Sequence, residues 1–93
     1  MPGRLHDPDY LAMVDHLTKV RKQAGVTQAE LAQRLGRPQS YVSKIERAER
    51  RVDVAEWRLI AIALNQNPTA MFGEVSRLLD DIELLSTAPK APG

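Results

Sequence analysis

The chain is 93 residues long, 43% apolar and 27% charged, and it has no cysteine. This length and apolar fraction supply one compact core rather than two, and the missing thiols exclude a disulfide framework and a thiolate metal site, a composition compatible with a reducing compartment. The formal net charge of +1 names no partner by itself.

Helical periodicity runs through nearly every segment and none sustains the alternation of a strand, so an all-α fold is expected. In "DPDY", Asp7 is placed to cap a first helix, with Pro8 in the first turn where its missing N–H costs nothing. Leu11, Val14, Leu17, Val20 and Ala24 then recur at spacings of three and four, and Gly25 is placed to end the helix in the left-handed conformation. "TQAE" opens a second helix as a reciprocal capping box between Thr27 and Glu30. Leu31, Ala32 and Leu35 form its inner face, and Gly36 stops it.

A third helix follows a tight turn and is entered through Pro38. A fourth starts with Asp53 as N-cap and is expected to bury Val54, Trp57, Ile60, Ala61 and Leu64. Asn67 and Pro68 cap and start a fifth, whose stripe Met71, Val75, Leu78, Ile82 and Leu85, with Phe72 and Leu79 beside it, is longer than a small core needs. Gly73 is a candidate break, which would divide the chain into a domain over 7–73, a helix over 74–86 and a tail over 87–93. The longest apolar run, "LIAIAL", is far short of a membrane span, and Met1 to Asp9 lacks the apolar core of a secretion signal, so a cytoplasmic protein with no membrane contact is expected.

The charges divide by region. Arg34, Arg37, Lys44, Arg47, Arg50 and Arg51 stand against only Glu46 and Glu49, whereas Glu74, Asp80, Asp81 and Glu83 stand against Arg77. A basic middle and an acidic end suggest separate tasks, though the acidic cluster reads equally as a solvated face. His6 and His16 have no ligand set near them and read as ordinary surface or boundary residues, so no metal is expected. Asp80 and Asp81 are adjacent and point to different sides of a helix, and neither a phosphate-binding glycine loop nor a nucleophile with its base is present. Enzyme activity and a cofactor are therefore not expected, and too little chain lies outside the five helices to enclose a small-molecule ligand.

The third helix carries the chemistry that remains. Measured from Gln39 at about 100° per residue, Ser43 falls near 40°, Arg47 near 80°, Ser40 near 100° and Lys44 near 140°, one arc of hydrogen-bonding side chains. Tyr41, Val42 and Ile45 fall on the other side. Two short helices joined by a tight turn, the second with a polar outer face and basic flanks, outline a helix-turn-helix.

The run "TQAELAQRLGRPQSYVSKIERAER", Thr27 to Arg50, resembles the Cro/CI or Xre-type helix-turn-helix of phage repressors and many bacterial regulators. Gln28, Ala32, Gly36, Val42 and Ile45 match that motif, and the resemblance spans about Leu11 to Phe72. It implies a compact five-helix, lambda-repressor-like DNA-binding domain with a C-terminal helical extension. It further implies that Gln28 grips a phosphate and buttresses Gln39, and that Gln39, Ser40, Ser43 and Lys44 occupy the base-reading positions. Glutamine pairs bidentately with adenine and lysine donates to guanine, in a major groove wide enough for a helix. Arg37, Arg47, Arg50 and Arg51 are candidates for phosphate contacts, which set affinity rather than sequence.

Arg21 lies on the apolar side of the first helix, where an unpaired charge is costly, and Glu46 is its natural counter-ion; the resemblance implies a structural pair. Tyr41 is open between a ring that covers the second helix and a hydroxyl that reaches a phosphate, and Trp57 is expected in the core. Ala48 stands where the family has glycine, which leaves open whether the third helix continues or bends past it, and Pro38 removes an amide that could meet a phosphate.

One recognition helix reads too few base pairs to find a site in a genome. A homodimer on a palindromic operator is therefore expected, with Met71, Val75, Leu78, Leu79, Ile82 and Leu85 as its interface; folding of that stripe onto its own core is the alternative. The leading reading is a regulator of double-stranded DNA: a phage-type repressor, a restriction-modification controller or an antitoxin. The second is a protein-interaction adaptor without DNA readout, with the acidic C-terminal segment as a surface for a protein partner.

Overall fold

The computed structural model describes residues 7–86, with side chains described as far as residue 81. Five helices follow one another: α1 (Pro8–Gln23), α2 (Gln28–Leu35), α3 (Gln39–Glu46), α4 (Val54–Ala63) and α5 (Pro68–Ser86). No strand occurs among the described residues, and the architecture is all-α as expected. His6 and the expected tail over 87–93 lie outside the described residues.

The backbone reverses behind each of the first four helices. Gly25, at φ 73°, follows α1. Its N–H bonds Lys22 O at 3.0 Å while the Val26 N–H bonds Arg21 O at 3.2 Å, the paired bonds of a Schellman reversal. Gly36, at φ 68°, closes α2, and Asn65, at φ 59°, follows α4 with the same pairing through Ile62 O and Ala61 O.

α3 ends likewise. Ala48 adopts φ 58°, its N–H bonds Ile45 O at 2.9 Å, and the Glu49 N–H bonds Lys44 O at 2.8 Å. The residue in the glycine position therefore neither prolongs nor bends the helix. An alanine bears the left-handed conformation, at a cost of about 1–2 kcal/mol, because two hydrogen bonds close the turn and its methyl is buried against Tyr10 and Val14.

Capping boxes open α2 and α4. Thr27 Oγ1 accepts the Glu30 N–H at 3.0 Å and Glu30 Oε1 accepts the Thr27 N–H at 2.8 Å. Asp53 and Glu56 repeat the exchange at 2.7 and 3.0 Å.

One core joins the five helices. α1 lies against α3 and α5, α2 against α3 and α4, and α4 against α5. Leu17, Leu31, Ile45, Ile60, Leu64, Met71 and Val75 are fully buried, each worth about 1.5–3 kcal/mol relative to exposure. Ala32, 2% exposed, lets α2 approach α3 closely.

Several expectations are corrected by this packing. Met71 and Val75, expected on a dimer interface, are 1% and 0% exposed within the chain's own core, so they are not available to a second copy. α5 runs unbroken through Gly73 and packs against α1 and α4. Leu78 is 38% exposed and Leu79 is half-buried against the core, while the side chains of Ile82 and Leu85 lie outside the described residues. Leu11 and Ala24 are exposed, and the buried line on α1 is Tyr10, Val14, Leu17, Val20 and Arg21. Val54 is 86% exposed at the first turn of α4, and with Met13, Trp57, Ile62 and Phe72 it lines an open apolar groove. Trp57 itself is buried.

A charge pair is set into the core. Arg21 Nε donates to Glu46 Oε2 at 2.6 Å, Nη2 donates to Oε1 at 3.0 Å, and Nη1 donates to Val26 O at 2.8 Å. The two side chains are 8% and 6% exposed. The fork ties α1 to the last turn of α3, and removing one partner would leave the other charge buried.

Two stability measurements follow from this geometry. Gly36 has open space where a Cβ would stand, so Gly36→Ala should cost only the left-handed backbone penalty, about 1–2 kcal/mol by urea denaturation; a much larger loss would mean the turn is confined by its neighbours. Glu46→Leu should destabilise by about 3–5 kcal/mol, with Arg21→Met/Glu46→Leu regaining most of it. A double variant no more stable than the single one would contradict this account of the pair.

Candidate nucleic-acid interface

Only Gly36, Arg37 and Pro38 separate α2 from α3. Pro38 stands at φ −68° and ψ 155°, an extended residue that turns the chain sharply into α3. α3 then has eight residues with which to satisfy two demands. Tyr41, Val42 and Ile45 are buried, which leaves Gln39, Ser40 and Lys44 exposed and Ser43 half-buried on the outer side. The Ser43 hydroxyl donates to Ser40 O at 3.3 Å.

Gln39 is held from behind. Its Nε2 donates to Gln28 Oε1 at 3.4 Å, and Gln28 Nε2 donates in turn to Glu46 Oε1 at 2.8 Å. A carboxylate only accepts, so Glu46 dictates which end of the Gln28 amide faces it. The Gln28 carbonyl oxygen is thereby turned toward Gln39. The second N–H and the carbonyl oxygen of Gln39 remain for an outside partner, the donor and acceptor pair that adenine's N7 and N6 amino group complement.

Basic side chains stand around this helix. Arg47 is exposed and donates through Nε and Nη2 to the two Glu49 oxygens, each at 3.1 Å. Those hydrogen bonds hold the Glu49 carboxyl below its usual range. A pair in which both side chains are more than half exposed contributes little and is readily exchanged for another anion.

Arg37 and Arg50 both lie over the Tyr41 ring, at 4.9 and 4.6 Å from its centroid. The Tyr41 hydroxyl donates to Glu56 Oε2 at 2.8 Å, and Arg50 Nη1 is 2.9 Å from the same oxygen. Burial, reinforced by the bond to Glu56, pushes the Tyr41 hydroxyl above its usual range, so it stays neutral. Glu56 is held below the ordinary carboxylate range, first by the Asp53 N–H and then by Tyr41 and Arg50. Arg51 lies over the Tyr10 ring at 5.0 Å.

The structure thus carries Gln39, Ser40, Ser43 and Lys44 on α3 with Arg47 at its end, joins Gln28 of α2 to Gln39, and brings Arg37 and Arg50 together over Tyr41. Arg51 stands apart on α1's Tyr10. Sequence reasoning did not place Tyr10, Glu49 or Glu56 at this surface. The Asp53 to Glu56 spacing, a capping box, is the one signal that would have drawn attention to Glu56.

The helix-turn-helix family model matches residues 17–70. Among solved structures, an XRE-family like protein from Pseudomonas syringae pv. tomato str. DC3000 is 45% identical over 78% of this chain and 89% of that chain, with a TM-score of 0.74. No curated protein matches the chain. With the matched segment running from α1 into α5 and including both helices of the motif, the chain belongs to the XRE-type helix-turn-helix family of DNA-binding regulators.

Proposed function

We propose that the chain is a sequence-specific transcriptional regulator that binds a palindromic operator as a homodimer, with α3 in the major groove. The observation that carries this reading is the outward face of α3, where Gln39 is oriented through Gln28 by the buried Glu46. A side chain biased toward one orientation loses less entropy on meeting a base than one that samples several.

Gln39, Ser40, Ser43 and Lys44 are the base readers, Gln39 being suited to adenine and Lys44 to guanine. Gln28, at the N-terminus of α2, keeps one amide N–H for a phosphate, on a helix end that favours anions. Arg37, Arg47, Arg50 and Arg51 supply phosphate contacts on either side. Discrimination then comes from two copies one helical turn apart. Leu78 and Leu79, with Ile82 and Leu85 further along α5, are the proposed two-fold contact, since the more N-terminal part of the stripe is consumed by the core.

Selection from a random duplex library should enrich an inverted repeat. On the selected site Gln39→Ala should lose about 1–3 kcal/mol and relax the preference at one position of each half. Arg47→Ala should weaken all sequences alike and reduce the salt slope by about one. An unchanged ranking of library members by Gln39→Ala would remove Gln39 from the readers. In sedimentation, Leu78→Glu/Ile82→Glu should convert a dimer to a folded monomer, and a double variant that stays dimeric would refute the α5 contact.

A further inference from the structure

We propose that Tyr41 is a positioning residue, a platform that fixes the Arg37 and Arg50 guanidinium groups as one preformed phosphate clamp anchored by Glu56. The proposal rests on the reading of α3 as the helix that enters the groove. It concerns how affinity is built, not which bases are read.

Arg37 precedes α3 and Arg50 lies beyond its end, yet both guanidinium carbons are within 5 Å of one ring centroid, at 4.9 and 4.6 Å. The ring is itself held by packing and by a hydrogen bond. Tyr41 is 8% exposed, it belongs to the core, and its hydroxyl is committed to Glu56 at 2.8 Å. That commitment also removes the hydroxyl as a phosphate ligand. Glu56 in turn is fixed as the third residue of the α4 capping box through its other oxygen.

Arg50 is held at three points: over the ring, by Glu56 at 2.9 Å, and through Nη1 to Arg51 O at 2.9 Å. The backbone beneath it is pinned as well. The Tyr10 hydroxyl donates to Arg50 O at 3.3 Å and accepts the Val52 N–H at 3.1 Å. Thus the two tyrosines of the chain hold the loop after α3, one by its main chain and one by a side chain.

The chemistry of the cluster selects an anion. Two guanidinium charges share one ring, and Arg50 is paired with a carboxylate that already accepts from the Asp53 N–H and the Tyr41 hydroxyl. A positive excess remains. A guanidinium lying over an aromatic face spends no N–H on it: Arg50 commits Nη1 to Glu56 and to Arg51 O, and its Nε and Nη2 edge is the one that can meet two oxygens of a phosphate. Fixing such a fork before binding is worth about three- to tenfold in affinity for each arginine so ordered.

The test is fluorescence anisotropy of the full chain with a selected operator duplex and with a scrambled duplex, over a range of salt concentrations. Tyr41→Leu should bind both duplexes about tenfold or more weakly and lower the salt slope, with the ranking of base substitutions preserved. Tyr41→Phe, which keeps the ring, should restore most of that loss. Added to Arg37→Ala/Arg50→Ala, the leucine substitution should have little further effect, because it acts through those two side chains. Arg37→Lys/Arg50→Lys leaves the core untouched and keeps both charges while removing both guanidinium forks. It should also weaken both duplexes, and it keeps the test decisive if Tyr41→Leu does not fold. Wild-type affinity in Arg37→Lys/Arg50→Lys, or an equal loss on adding Tyr41→Leu with and without the arginines, would overturn the proposal. A wild-type chain that binds no duplex would instead remove the reading on which it rests.

Discussion

The carboxylate of Glu46 is the point on which the α3 surface depends. It accepts two bonds from Arg21 and one from Gln28, and it is nearly out of contact with solvent. In an apolar surround such a pair is poor value as a source of net stability, since desolvation offsets most of the attraction. What it does supply is direction. A guanidinium fork and a carboxylate fit in one plane, so α1 and α3 are fixed in mutual rotation as well as in distance. The third bond carries that direction outward, through Gln28 to Gln39. A group in the core thus orients the amide at the surface.

The remaining geometry follows from brevity. α2 and α3 each have eight residues, and neither would be stable alone. They persist because their ends are closed by local bonds and their inner faces are shared with the same core. Left-handed residues at Gly25, Gly36, Ala48 and Asn65 let four successive helices turn back without long loops. This is why a chain of modest size can expose one side of α3 while burying the other. The arginines before and after α3 meet on Tyr41 for the same reason: a short helix brings its two ends near one ring.

Much of this was legible from residue patterns. The glycines at 25 and 36, the Thr27 and Glu30 box and the inner faces of α2 and α3 are local features, and local rules suffice for them. Other features depend on partners distant in sequence. Ala48 accepts a glycine's conformation where two hydrogen bonds close the turn and Tyr10 and Val14 bury its methyl. Met71 and Val75 share a periodicity with Leu78, Ile82 and Leu85, and periodicity cannot tell where a helix leaves its own core; the position of α1 and α4 decides that. Val54 follows the same limit, since a first-turn apolar residue reads as buried whether or not anything covers it. Tyr41 was correctly placed on the inner side of α3, but its pairing with Glu56 across 15 positions had no signature in the chain.

The central claim is that the outward side of α3 is the surface that meets DNA. Side-chain amide resonances of glutamine are resolved by NMR, and titration of the labelled protein with an operator duplex reads that surface directly. The account predicts that the Gln39 and Gln28 amide signals and the backbone amides from Gln39 to Lys44 shift most, with contacts from Gln39 to protons on the major-groove edge of the bases. Perturbations confined to the apolar groove between α4 and α5, with the α3 signals unmoved at saturating duplex, would contradict it.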